Sequence, residues 1–592
     1  MKHQFYLSFL LLCLVLGCKK KEEINLPPTA NAGTDITANL GQKVNLSGAL
    51  SKDPEGTALL YTWSFKTKPA NSVVTIQNMS SVTADFTPDQ TGTYVITLLV
   101  TDDHNQSATA TVNVMVNLPG HAPTASAGTS LTTTYGNKVV LDGSASADAD
   151  GDKLTYKWSF KTRPAGSAAS LPITNDTQAK AEFEPDATGQ YVLTLTVSDG
   201  IWPAVSADVT VTVNESPTID VCPDNGRISV NTTWKNLVQD PTKPDYIVCK
   251  DITVYGVLTI EPGVVVAFKQ NTGLYIGGDG KGVLTAKGTA DKPIVFTGNQ
   301  KVAGFWNGVL FNGSNDVRNE LSYVEISYGG GSIFSRYYGE AANLNISGDK
   351  FIGLSPSSVK ATNCSFTNSK GRGVYVSTDG LLTEFSNNAF SNNGLYPLEL
   401  PASQVQQLDN ASTFASSNGI NLVAIYGSLS NTKETTWGPF KDGTKYRFTD
   451  GFSIESGLVI LPGASFEVAS GKAIGIGAGY LIAKGTVDKH IIFTGEVKIP
   501  GSWGGILAGT DIRNEMNYVE VAYGGGAPAY LYAAKGNVIL YAGFNFNKRM
   551  KITNCSISNS SEAGIAQYSG TLILDSPDSN TYSNNAKGNI VK

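Results

Sequence analysis

The chain has 592 residues, is rich in glycine (62) and sparse in charge (16%), and carries a formal net charge of −6. Its lysines and arginines are scattered, so the basic stripe that nucleic acid requires is missing and no nucleic-acid partner is expected. The four histidines, His3, His104, His121 and His490, stand apart from one another, which argues against histidine-based zinc sites and Ser-His-Asp chemistry.

The amino terminus opens with Met1-Lys2-His3, an apolar run from Phe5 to Leu16, and Gly17-Cys18. The run is short for a membrane span and reads as a secretory signal over residues 1–17. Leu14-Val15-Leu16-Gly17-Cys18 resembles a bacterial lipobox, which implies acylation of Cys18 and attachment to a membrane through acyl chains. A charged tether, residues 18–27, follows. Its Lys21-Glu22-Glu23 is similar to the export tags of surface lipoproteins, and the implied address is the outer membrane, exposed at the cell surface.

Residues 28–117 and 122–214 form an internal repeat. Tyr61-Thr62-Trp63-Ser64-Phe65-Lys66-Thr67 answers to Tyr156-Lys157-Trp158-Ser159-Phe160-Lys161-Thr162, and Gly92-x-Tyr94 to Gly189-x-Tyr191. Each unit holds about 90 residues of short alternating strands, the size of an immunoglobulin-like sandwich, with the tryptophan as its core aromatic. The units resemble PKD-family domains in the opening Pro-x-Ala-x-Ala-Gly and the closing Gly-x-Tyr-x-x-x-Leu-x-Val-x-Asp. They depart from that family after the tryptophan, where Lys66-Thr67-Lys68-Pro69 replaces the usual Gly-Asp-Gly turn. Tandem units of this kind imply spacers, with roughly 80 Å of reach for the pair. Asp148, Asp150 and Asp152 crowd three carboxylates onto one turn, either a candidate Ca²⁺ site or a solvated acidic turn. No other cofactor is required.

Residues 215–250 match neither repeat and read as a junction and amino-terminal cap. Cys13 leaves with the signal, Cys18 is acylated, and Cys364 and Cys555 occupy equivalent inward positions far apart. Cys222 and Cys249 are therefore expected to pair, closing a loop of roughly 27 residues for roughly 3 kcal/mol.

Residues 251–592 contain a second duplication, with halves at about 251–446 and 447–592. Val257-Leu258-Thr259-Ile260-Glu261-Pro262-Gly263 matches Gly457-Leu458-Val459-Ile460-Leu461-Pro462-Gly463. Arg318-Asn319-Glu320 matches Arg513-Asn514-Glu515, Tyr328-Gly329-Gly330-Gly331 matches Tyr523-Gly524-Gly525-Gly526, and Asn363-Cys364-Ser365 matches Asn554-Cys555-Ser556. Period-2 apolar strands with Asn and Gly at the corners describe a coil of parallel strands. The stretch resembles the right-handed parallel β-helix of pectate-lyase-like proteins, with about 12–14 rungs. The fold class is thus all-β: two immunoglobulin-like (PKD) sandwiches, then a parallel β-helix.

Enzymes built on such a coil need clustered carboxylates, and polygalacturonase-like signatures are missing from this stretch. The best polar set, Asp316, Arg318, Asn319, Glu320 and Glu325, recurs as Asp511, Arg513, Asn514, Glu515 and Glu520. A motif that repeats with the rung reads as a corner, and Tyr323, Tyr328, Tyr518, Tyr523, Trp306 and Trp503 read as inward or stacked rung aromatics. The aromatics of unshared insertions, Tyr337 and Tyr338 in one half and Tyr530 and Tyr532 in the other, are binding candidates. The expected function is non-catalytic adhesion or glycan binding at the cell surface, with a polysaccharide or surface partner. A polysaccharide lyase or glycoside hydrolase is the alternative.

Overall fold

The structure, a computed structural model, describes residues 24–277, 280–332, 340–348, 355–508, 511–526, 534–541, 548–568, 572–575 and 579–591. Helix among these amounts to little more than a 3-10 turn at Ala402–Gln407. No helix of the described residues is long and apolar enough to cross a membrane. The chain divides into two compact units, the paired sandwiches and the coil.

Each sandwich packs a four-stranded sheet against a strand pair. In the first, the sheet order is Ile36–Asn39, Ser107–Asn117, Gly92–Thr101 and Leu60–Thr67, and Val44–Ser47 pairs with Thr83–Phe86. The second repeats this with Leu131–Thr134, Val205–Asn214, Gly189–Ser198 and Thr155–Thr162, and with Val139–Asp142 beside Lys180–Phe183. Alternation along Gly92–Thr101 buries Tyr94, Ile96, Leu98 and Val100 on one face. Trp63 and Trp158 are buried, and each indole N–H donates to a backbone carbonyl, Ser81 O and Gln178 O, at 3.1 Å. That bond satisfies the polar edge of a large ring set in an apolar core.

The coil begins earlier than residue 251. Ile219–Val221, Arg227–Ile228 and Thr232–Trp234, within the stretch expected as a junction, already pair in parallel with the rung above them. Cys222 and Cys249 follow the adjacent strands Ile219–Val221 and Tyr246–Val248 and are joined by a disulfide, Cα–Cα 5.4 Å. One sheet of fourteen strands runs the length of the coil. A single hydrophobic cluster extends from Ile228 to Ile565, so the two halves share one core rather than forming separate domains. Rings stack along its axis, Phe366 on Phe390 and Phe390 on Phe414 at 5.1 Å each, and Phe466 on Phe493 at 5.0 Å.

The duplicated halves do not present the same side. In the first half Val265–Phe268 belongs to an eight-stranded sheet and Gly273–Gly277 to the fourteen-stranded one. Their counterparts Ser465–Val468 and Ile474–Ile476 lie in the fourteen-stranded sheet and in a separate six-stranded one. Between counterparts the chain makes one side more than a whole number of turns. The step arises where the 3-10 turn Ala402–Gln407 stands in for a strand and Leu429 contributes only an isolated bridge to Ile454.

Candidate functional site

The Asp-x-Arg-Asn-Glu sets are closed on themselves. The Arg318 guanidinium donates to both Asp316 oxygens (2.8 and 2.7 Å), and the Arg318 backbone N–H donates to Asp316 Oδ1 at 2.9 Å. This holds the Asp316 carboxyl down at about 2. Asn319 is buried, accepts from Leu284 N at 3.2 Å, and donates to Ser314 O and Oγ. Arg513, Asp511 and Asn514 repeat the pattern, with Leu481 N donating to Asn514 Oδ1 at 2.9 Å. Glu320 faces Lys287 and Lys360, and Glu515 faces Lys484 (2.8 Å) and Lys551 (3.2 Å). These side chains satisfy turn backbone and neighbouring rungs, which is the work of a corner.

Trp306 and Trp503 point inward, fully buried, their indoles donating to Ser327 O (2.7 Å) and Ala522 O (2.8 Å). The tyrosines correct the expectation of inward or stacked rings. Tyr323, Tyr328, Tyr518 and Tyr523 are half-buried corner residues with φ of 50°, 62°, 50° and 67°. They occupy the columns that asparagine fills in following rungs, such as Asn363 and Asn387 beyond Tyr323. Left-handed backbone suits Asn and strains a bulky residue. Cys364 and Cys555 are buried between rungs, and burial pushes their thiols up to about 12 and about 11.

Asp148, Asp150 and Asp152 do converge, their nearest carboxylate oxygens within 4.8 Å of one another. Asp148 Oδ1 accepts the backbone N–H groups of Asp150 (2.8 Å) and Asp152 (3.2 Å), so the turn also supports itself. Asp53, its counterpart in the first sandwich, accepts Thr57 N at 2.9 Å in the same manner. Cys18, Tyr337, Tyr338, Tyr530 and Tyr532 lie outside the described residues.

A groove of about 530 Å³ lies on the outer face of the six-stranded sheet that begins with Phe452–Ile454 and Ile474–Ile476. Its floor is a row of outward positions on successive strands, Ser453, Gly475, Leu507 and Ile539, in direct register. At a strand spacing of about 4.8 Å the row spans about 14 Å. Asp450 and Lys472 close one end as an ion pair of 2.6 Å. At the other, Glu455 accepts from Ala478 N at 3.0 Å and from the Ser453 hydroxyl. These partners hold both carboxyls below the usual carboxylate range, Lys472 chiefly for Asp450 and the Ala478 N–H for Glu455. The result is an apolar floor bounded by ionised acceptors. Motifs shared between halves and motifs inserted into one both miss this groove, because its residues are substitutions within the repeat.

Residues 32–116 and 127–213 match a family model for PKD domains of the KIAA0319-like kind, and residues 231–346 match "Pectate-lyase like beta helix domain". The dyslexia-associated protein KIAA0319-like protein of Mus musculus is 33% identical over 179 residues, 30% of this chain and 16% of that protein. Dyslexia-associated protein KIAA0319 of Homo sapiens is 30% identical over 200 residues, 33% of this chain and 18% of that protein. The chain thus spans less than a fifth of the length of these two relatives. Among solved structures, the PKD domain from the KIAA 1837 protein is 34% identical, covering 15% of this chain and 85% of that one at a TM-score of 0.14. The chain carries two PKD-like domains followed by a pectate-lyase-like β-helix domain.

Proposed function

We propose that this is a lipid-anchored cell-surface protein whose β-helix binds a glycan or surface ligand without cleaving it, with the PKD-like domains as spacers. The observation that carries this reading is the duplication: the polar sets that might be taken for catalytic machinery recur in both halves and are consumed by their own corners. The enzymatic alternative draws support from the two carboxylates of the groove, Asp450 and Glu455. A glycosidase acid must hold its proton near neutral pH, which requires a raised carboxyl. Both groove carboxyls are shifted the other way.

The test uses the full chain on a panel of polysaccharides and on whole cells. Retention without release of reducing ends, and without ultraviolet absorbance from unsaturated products, supports the reading. Cleavage of any member of the panel overturns it. For the anchor at Cys18, mass spectrometry of the amino-terminal peptide should find acyl chains, and protease shaving of intact cells should remove the sandwiches. The aspartates at 148, 150 and 152 are proposed as a Ca²⁺ site, and calcium titration should raise the unfolding temperature of the second sandwich.

A further inference from the structure

The two halves of the coil permit a comparison of one rung position in two states. In the first half the outward row runs Thr253, Tyr275, Leu310 and Asn345, in the same register as Ser453, Gly475, Leu507 and Ile539. Tyr275 there fills the space that Gly475 leaves empty, and Asp251 stands beside it, interacting with its hydroxyl. The flanking positions differ too. Asp251 corresponds to Gly451, Tyr255 (which lies under Arg227 at 5.1 Å) to Glu455, and Thr272 to Lys472. The second half has therefore lost two aromatic side chains and one acid from this face. It has gained the Asp450–Lys472 pair and Glu455 at the rims.

Gly475 is not a backbone necessity. Its φ is outside the left-handed region, and an added Cβ would meet nothing closer than Phe452 O at 3.9 Å. A corner glycine repeats because geometry demands it; this one departs from the repeat at a place where a tyrosine fits. We propose that the groove over Ser453, Gly475, Leu507 and Ile539 is a subsite for an uncharged oligosaccharide, opened by the absence of a side chain at 475. This rests on the binding reading above and gives it a place and a ligand class.

The chemistry of the walls selects that class. Among the described residues, Lys472 is the only cation lining the groove, and it is already paired with Asp450. Two carboxylates against one ammonium leave a single excess negative charge, which repels uronate and sulfate chains. Leu507 and Ile539 offer an apolar floor for the C–H face of a sugar ring, and Asp450 and Glu455 offer acceptors for hydroxyls at its edge.

The test is a binding series with the full chain on immobilised oligosaccharides: neutral glucan, mannan and galactan fragments, oligogalacturonate, and glucosamine oligomers. A neutral fragment should be retained, and Gly475→Tyr should weaken that binding by about tenfold or more, equivalent to about 1.4 kcal/mol. Leu507→Lys, a second outward substitution, should do the same, while both variants keep the wild-type unfolding temperature. Neutral binding that survives both folded variants overturns the proposed position and leaves the binding reading standing. Preference for oligogalacturonate or glucosamine oligomers overturns the ligand class alone. Retention of none of the fragments overturns the subsite, and the whole-cell assay then decides the broader reading separately.

Discussion

Asp316 and Arg318 sit two residues apart and bind each other through two parallel hydrogen bonds. The folded carboxyl lies at about 2, below its ordinary value of 3.8, so the stabilisation is present above the ordinary value and is lost as pH falls through about 2. Carboxyl NMR should show Asp316 titrating near pH 2, and in Arg318→Met the titration should return toward 3.8; an unchanged midpoint would show that the guanidinium is not the cause. Tyr323 makes a second point at this scale. Its φ of 50° places a bulky residue in a column otherwise held by Asn363 and Asn387. Left-handed backbone costs such a residue roughly 1–2 kcal/mol, so Tyr323→Asn should hold or raise the unfolding midpoint despite the smaller side chain. A clear fall would mean that the ring's packing outweighs the backbone strain. The self-contained Asp-x-Arg-Asn-Glu corner was legible in the sequence because it recurs. The tyrosine columns were not, because backbone sign at a corner is set by the rung stacked on it. Gly475 was equally hidden, since its meaning comes from the tyrosine facing the same way in the other half.

Strands were the most legible elements. Leu258, Ile260, Val264, Val266 and Phe268 mark inward positions by alternation alone, and all are buried. The rung count also followed from repeat length, and fourteen strands stack in the longest sheet. Two features escaped. The first rung lies within 215–250, where short strands such as Arg227–Ile228 carry too few residues to show a period. The one-side step between halves depends on residues 402–437, which have no simple counterpart and whose path is decided by packing rather than pattern. The disulfide belongs to this scale because it ties the first strand of one sheet to its neighbour. Closing a loop with a sequence separation of 27 contributes roughly 3 kcal/mol. Cys222→Ser with Cys249→Ser should therefore lower the denaturant midpoint of the coil while leaving the sandwich transition in place. Equal midpoints would mean that the first rung needs no staple.

At the scale of the molecule, one core joins the duplicated halves, yet their equivalent surfaces open on different sides of the coil. Ligand recognition by features common to both halves would give two sites per chain. Recognition by the groove at Gly475 gives one, because Tyr275 fills the corresponding place in the first half. The decisive measurement is equilibrium dialysis of the full chain against the best-retained neutral oligosaccharide, followed by mass analysis of the sugar. One equivalent bound per chain and returned intact is the predicted result. Two equivalents per chain, or a shortened sugar, would contradict it.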